Sequence, residues 1–241
     1  MAETDKTEDY PLVTCITLAG NHSLKEIQST IKQFKSQSYP YKELIIVNNC
    51  DSQSDASNLT LEAQSDVYVI DTPTKMSAGM ARNYGILSAN GQILAQFDAS
   101  YWHAPERIHS QINSLTAGSH ISLLADVLQF SCYSNTARLY KNNRNAILNT
   151  MVFIRPKDVD YDNVDNNEES TIMQKMTNNG FKPIAIEAPE LCCKMVPTTF
   201  KNIPNTAGFA PKTTAIINGE LSPDLYASAK DIIKSYYKNL S

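Results

Sequence analysis

From Leu12 to Phe97, short β-branched apolar runs alternate with segments of helical periodicity, and this alternation narrows the fold to a parallel sheet wound with crossover helices. Leu12 to Leu18 reads as a strand that ends in the loop Ala19-Gly20-Asn21. Ser23 then caps a helix whose apolar positions Leu24, Ile27, Ile31 and Phe34 recur at helical spacing, with Glu26 in capping-box register. Tyr39-Pro40-Tyr41 ends it. Glu43 to Val47 is apolar on both faces, as a buried parallel strand requires. The pattern repeats with Asp55 to Gln64 helical, Val67 to Ile70 extended, Ala78 to Ser88 helical and Gln92 to Phe97 extended. Sheets of this kind bind ligands beyond the carboxyl ends of their strands, which are here Leu18 to Asn21, Asn48 to Asp51 and Asp98 to Trp102.

Further on, Pro105 opens a helix with Ile108, Ile112 and Leu115 on its inner stripe. Ile121 to Phe130 and Asn149 to Ile154 read as strands, and Glu168 to Asn178 as a helix that Gly180 stops. Between them, Asp158 to Asn167 is rich in Asp and Asn and is expected to loop over the site. Asp224 to Leu240 is an amphipathic helix with Leu225, Ile232, Ile233 and Tyr236 on one side; it either docks on the core or meets a protein partner. A net charge of −4 with mixed signs supplies no basic field for nucleic acid or an anionic membrane. No stretch approaches the roughly 20 apolar residues of a membrane-spanning helix. Met1 to Tyr10 reads as an acidic tail without the features of a signal peptide. The five cysteines have neither zinc spacing nor a paired framework, so the expectation is reduced thiols in a cytoplasm.

Three stretches then narrow the class: Pro11 to Asn21 (PLVTCITLAGN), Glu43 to Asp51 (ELIIVNNCD) and Ser77 to Ser100 (SAGMARNYGILSANGQILAQFDAS). Together they resemble the amino-terminal half of family 2 glycosyltransferases. Gly79, Arg82, Asn83, Gly85, Ala89 and Gly91 stand where that family has its glycine, Ala-Arg-Asn, glycine and Ala-x-Gly elements. Trp102 to Gln111 resembles the segment that follows the family's acidic motif. Asn149 to Arg155, Glu168 to Gly180 and Leu191 to Phe200 are similar, more loosely, to its acceptor-side strand, base-bearing helix and closing segment. The resemblance implies a GT-A fold: an α/β domain with a mostly parallel central sheet flanked by helices and a Rossmann-like nucleotide-binding half. That domain would cover 11–200, between the tail at 1–10 and a carboxyl-terminal extension at 201–241.

The resemblance also implies transfer of sugar from a nucleotide sugar, a UDP-sugar, to a glycan or glycoconjugate acceptor. The nucleotide would lie against Ala19, Gly20 and Asn21 at the first strand's tip and against Asn48 and Asn49, which replace the family's Asp pair, at the second. These two asparagines could equally shape a turn. Arg82 would face the diphosphate, with Asn83 and Asp98 nearby. In the family two acids separated by one residue hold Mg2+ or Mn2+; here Asp98 is kept and Ser100 replaces the second acid. A family position that often carries histidine is Val196 or Pro197. His103 and Arg82 could supply part of a metal's charge, although His103 beside Trp102 also suits simple packing. Glu169 matches the acceptor's base and Glu168 its orienting neighbour, while two acids in a first turn also complement the helix dipole. The leading expectation is an inverting glycosyltransferase of surface-polysaccharide or glycoconjugate assembly. Its rival is a catalytically impaired nucleotide- or glycan-binding module or partner subunit. Sugar nucleotidyl transfer is disfavoured because no glycine-rich basic loop follows Leu18-Ala19-Gly20, and dinucleotide chemistry because no G-x-G-x-x-G does.

Overall fold

The computed structural model describes residues 10–20, 22–50, 59, 62–63, 65–115, 118–131, 136–141, 146–196, 221 and 223–240. The alternating amino-terminal half forms as its pattern requires. β1 (Val13–Leu18) and β2 (Lys42–Asn48) are buried almost throughout, and α1 (Leu24–Lys35) connects them. The Ser23 capping box is complete: its hydroxyl accepts from the Glu26 amide while the Glu26 carboxylate accepts from the Ser23 amide. β3 (Val67–Asp71), α2 (Ala78–Ser88) and β4 (Ile93–Gln96) follow. Most of the helix expected over Asp55 to Gln64 lies outside the described residues.

After β4 come β5 (Tyr101–His103), α3 (Arg107–Ser114), β6 (Ile121–Leu124), β7 (Asp126–Ser131), β8 (Thr136–Lys141) and β9 (Ile147–Ile154). α4 (Glu168–Asn178), β10 (Pro183–Ile186), a 3₁₀ turn at Pro189–Leu191, β11 (Cys192–Val196) and α5 (Pro223–Leu240) complete the described chain. The main sheet has seven strands in the order β10-β6-β9-β4-β1-β2-β3. Its neighbours are parallel except at β9, which runs antiparallel to both β4 and β6. The expected α/β class with a mostly parallel central sheet is therefore the observed one.

One strand differs from expectation. The apolar run from Ile121 to Phe130 is not a single strand: β6 stays in the main sheet, and at Ala125 the chain passes into β7 of a second sheet, ordered β5-β11-β7-β8. The pairing of β6 with β9 shifts register between Ser122 and Leu124, and a bulge of this kind lets a strand bend away from its partner. Asp126 stands at the break, but a single acid between two buried apolar stretches does not by itself mark a change of sheet.

α5 packs on this second layer. Ala229, Ile232 and Ile233 join the cluster of Tyr101, Trp102, Leu128, Leu191 and Cys192, so the helix docks on the core through these residues. We expect Ile232→Ala and Ile233→Ala each to cost about 2–5 kcal/mol of unfolding free energy, as buried aliphatic truncations do. Urea denaturation would check this; losses below about 0.5 kcal/mol would mean that the helix is not part of the folding unit. Cys15 and Cys192 are free thiols buried in the core, and Cys132 lies outside the described residues. Among the described residues no helix is long and apolar enough to cross a membrane.

Candidate active site

Four segments distant in sequence meet beyond the carboxyl end of β4. α2 starts at a Ser77 cap and turns Arg82 inward, where it is 5% exposed. The Phe97 amide donates to the Ile16 carbonyl and extends the β4–β1 pairing to the edge of Asp98. α4 is entered through Asn167, whose φ of 63° lies in the left-handed region that asparagine tolerates better than most residues. The sharp entry places Glu168 and Glu169 in a first turn that is buried rather than solvated.

The Arg82 guanidinium is the centre of the cluster. Its Nη1 and Nη2 each donate to Asp98 Oδ1 at 3.2 Å, and Nη2 also reaches Asp98 Oδ2 and Glu169 Oε1 at 3.3 Å. Its Nε lies 3.6 Å from Glu168 Oε1, an ion pair without a hydrogen bond. Burial works against this charge, but Asp98, Tyr161, Glu169 and Glu168 together more than offset it and hold the guanidinium above its ordinary pKa. One cation thus faces three carboxylates. Burial first, and then Asp98 and Glu168, push Glu169 up to about 7 against the opposing pull of Arg82. Asn149, at the start of β9, donates to Glu169 Oε1 at 2.6 Å and fixes its direction.

Asp98 is also held from behind. Its carbonyl accepts from the Tyr101 amide at 3.0 Å and from His103 Nε2 at 3.1 Å. Arg107 Nη1 lies 2.8 Å from His103 Nδ1, and a guanidinium can only donate, so Nδ1 is the acceptor and Nε2 carries the proton. Burial and then the Arg107 charge keep His103 well below its ordinary pKa, hence neutral. It is a packed histidine at 1% exposure.

The other residues singled out in the sequence lie around this cluster without joining it. Asn48 donates to Asp71 Oδ1 at 2.6 Å across the β2 and β3 tips. Asn49 braces the segment that leads into α2: its amide donates to the Met76 carbonyl and accepts from the Met76 amide, both at 2.8 Å. Asn83 clamps the backbone of Tyr161 with two 2.8 Å bonds. Ala19 is fully buried at the tip of β1, and Asn21 lies outside the described residues. The carbonyl of Ser100 accepts from the Met195 amide at 2.9 Å, which joins the Asp98 turn to β11.

Three side chains enter the cluster that the sequence did not single out. Asn149 had a faint signal, an amide opening an otherwise apolar strand. Tyr161 and Gln96 had none; the Gln96 amide donates to the Tyr161 hydroxyl at 2.8 Å beneath Arg82. For a divalent ion the described residues alone supply too few donors. Both Asp98 oxygens already accept from Arg82, Ser100 is neutral, and no group of three His, Cys, Asp or Glu among the described residues could hold a metal.

The sequence profile of Glycosyl transferase family 2 matches residues 14–178, a span that contains Arg82, Asp98, Asn149, Tyr161, Glu168 and Glu169. The chain belongs to glycosyltransferase family 2. No curated protein matches it. Among solved structures, this family 2 chain is similar to the mannosyltransferase PcManGT from Pyrobaculum calidifontis, solved in complex with GDP-Man and Mn2+. That likeness covers 97% of this chain and 73% of the other, with a TM-score of 0.56 and 14% identity. At such identity it establishes the fold, which is GT-A.

Proposed function

We propose that this family 2 glycosyltransferase moves a sugar from a nucleotide sugar, a UDP-sugar, to a hydroxyl of a glycan or glycoconjugate, with inversion and with Glu169 as the base. One observation carries the reading: a buried glutamate near neutral pKa, oriented by Asn149 and Arg82, stands beside Asp98 at the end of the central strands. A general base works best when its pKa lies near the operating pH. In the reaction the acceptor oxygen attacks the anomeric carbon while the bond from that carbon to the diphosphate oxygen breaks. The acceptor proton passes to Glu169. Inversion follows from a single displacement on the face opposite the leaving group.

Asp98 and the tips of β1 and β2, with Ala19, Asn48 and Asn49, would form the nucleotide wall. Asn83 would act on the site through the Tyr161 loop, and Glu168 would hold Arg82 in place. We derive no step through a metal. A second reading is favoured by Ser100 in place of an acid and by the engagement of both Arg82 Nη atoms with carboxylates: a non-catalytic nucleotide- or glycan-binding module or partner subunit.

A panel of UDP-glucose, UDP-N-acetylglucosamine and GDP-mannose separates the readings, with thermal shift for binding and release of nucleoside diphosphate for turnover. Glu169→Gln is expected to lower release by about 10²- to 10⁴-fold with binding kept. Because Glu169 must be ionised to accept the proton, turnover in the wild type should rise with pH through a midpoint near 7. A flat profile between pH 5.5 and 8.5 would remove Glu169 as the base. Binding of a donor without any release of diphosphate would favour the module.

A further inference from the structure

Arg107 is fully buried, yet every hydrogen-bond acceptor found for it is neutral. Its Nε donates to Gln111 Oε1 at 3.0 Å, Nη1 to His103 Nδ1 at 2.8 Å, and Nη2 to the carbonyls of Gln96 at 2.8 Å and Thr150 at 3.1 Å. The ring of Phe97 lies 5.6 Å from its Cζ. No carboxylate pairs with it among the described residues. A buried charge on neutral acceptors alone is costly, and a helix this short could have anchored itself with an aliphatic residue.

The bonds of this guanidinium lead to both candidate reaction acids. Through His103 it reaches the carbonyl of Asp98, and through Gln96 it holds the end of the strand that carries Asp98. Through the Thr150 carbonyl it holds β9 at the residue next to Asn149, whose amide fixes Glu169 Oε1 at 2.6 Å. Gln111 closes the frame by donating to the same Thr150 carbonyl at 2.9 Å.

We propose that Arg107 and His103 are positioning residues for glycosyl transfer, setting Asp98 and Glu169 relative to one another from one buried guanidinium. This inference rests on the transferase reading. Neither residue touches substrate in this role; both act through the acids. A planar fork is needed because four bonds leave in fixed directions, which the ammonium of a lysine cannot reproduce.

The test has a kinetic arm and a structural arm. In the first, donor hydrolysis of the panel sugar with the highest wild-type rate is followed for Arg107→Met and Arg107→Lys, alone and combined with Glu169→Gln. Each Arg107 substitution should lower kcat about 100-fold in the wild-type background, the scale of a 1 Å misplacement, with donor KM changed less than about threefold. In the Glu169→Gln background the further loss should be at least about fivefold smaller, because one of the two acids being positioned is already gone. Equal losses in both backgrounds, or a near-wild-type rate for Arg107→Lys, would overturn the proposal. The structural arm uses His103→Leu, which removes the link to Asp98 while Arg107 keeps its bonds to Gln111, Gln96 and Thr150. Its crystal structure should show the Asp98 carboxylate displaced from Arg82 by on the order of 1 Å. An unmoved Asp98 would overturn the proposal whether or not the chain turns over, whereas a wild type that releases no diphosphate would count against the transferase reading alone.

Discussion

Arg82→Met should destabilise the domain by about 3–5 kcal/mol and abolish turnover together, because it leaves three buried carboxylates without the cation they share. The loss should depend on pH in a stated direction. Glu169 is already raised from 4.5 to about 7 in the folded chain, so its contribution to stability is complete below 4.5 and is lost as pH rises through about 7. With Arg82 gone, its pull on Glu169 disappears and the folded-state pKa climbs further, which widens that window. The variant should therefore sit closer to the wild type at pH 5 than at pH 8. Urea titrations at the two pH values would measure this. A deficit that is equal at both, or larger at pH 5, would show that the acids do not depend on Arg82 for their ionisation.

Gly79→Ala should be almost as damaging, by a steric route. A Cβ at Gly79 would overlap the backbone carbonyl of Asp162, and no side-chain rotation can relieve a clash with backbone. The two segments are laced together at this point: the Gly79 amide donates to the Val164 carbonyl at 3.0 Å, the Ala78 amide to Asp165 Oδ1 at 3.0 Å, and Ser77 Oγ to Asn163 Oδ1 at 2.8 Å. The extra methyl must push the 161–165 segment outward, and that segment runs directly into α4 with Glu168 and Glu169. We expect a loss of about 1–3 kcal/mol and a fall in turnover of about 100-fold. Met80→Ala, at an exposed neighbour, should change neither by much. A Gly79→Ala variant with wild-type rate would mean that the loop and the base are not mechanically joined.

Much of the frame can be read from residue order. The strands β1 to β4 and the helices α1, α2 and α4 announce themselves through periodicity and end signals such as the Ser23 box and the left-handed Gly180, whose φ is +85°. The second sheet cannot be read in this way. β5 has three residues, β7 follows β6 after a single residue, and β11 gains its place only by pairing with β5 and β7. The site divides along a similar line. Arg82, Asp98, Glu168 and Glu169 belong to a recognisable motif set, so they could be listed together before any geometry was known. The partners of Arg82 could not. A guanidinium in a sequence carries no indication of which acids will surround it, and here Asp98, Glu168 and Glu169 are buried around it. Asn48, Asn49 and Asn83 show the same ambiguity: an amide that can read a base can also brace a loop, and in the folded chain each bonds a neighbouring segment.

By itself the amino-acid sequence determined the class of fold and the parallel run of β1 to β4, because periodicity and capping act over a few residues and leave local traces. Only the tertiary structure decided that Glu169 sits beside two other acids, that Asn149 aims it, and that Arg107 stands behind them. Those facts depend on distances between residues far apart in the chain, and on burial that turns weak electrostatic preferences into strong ones.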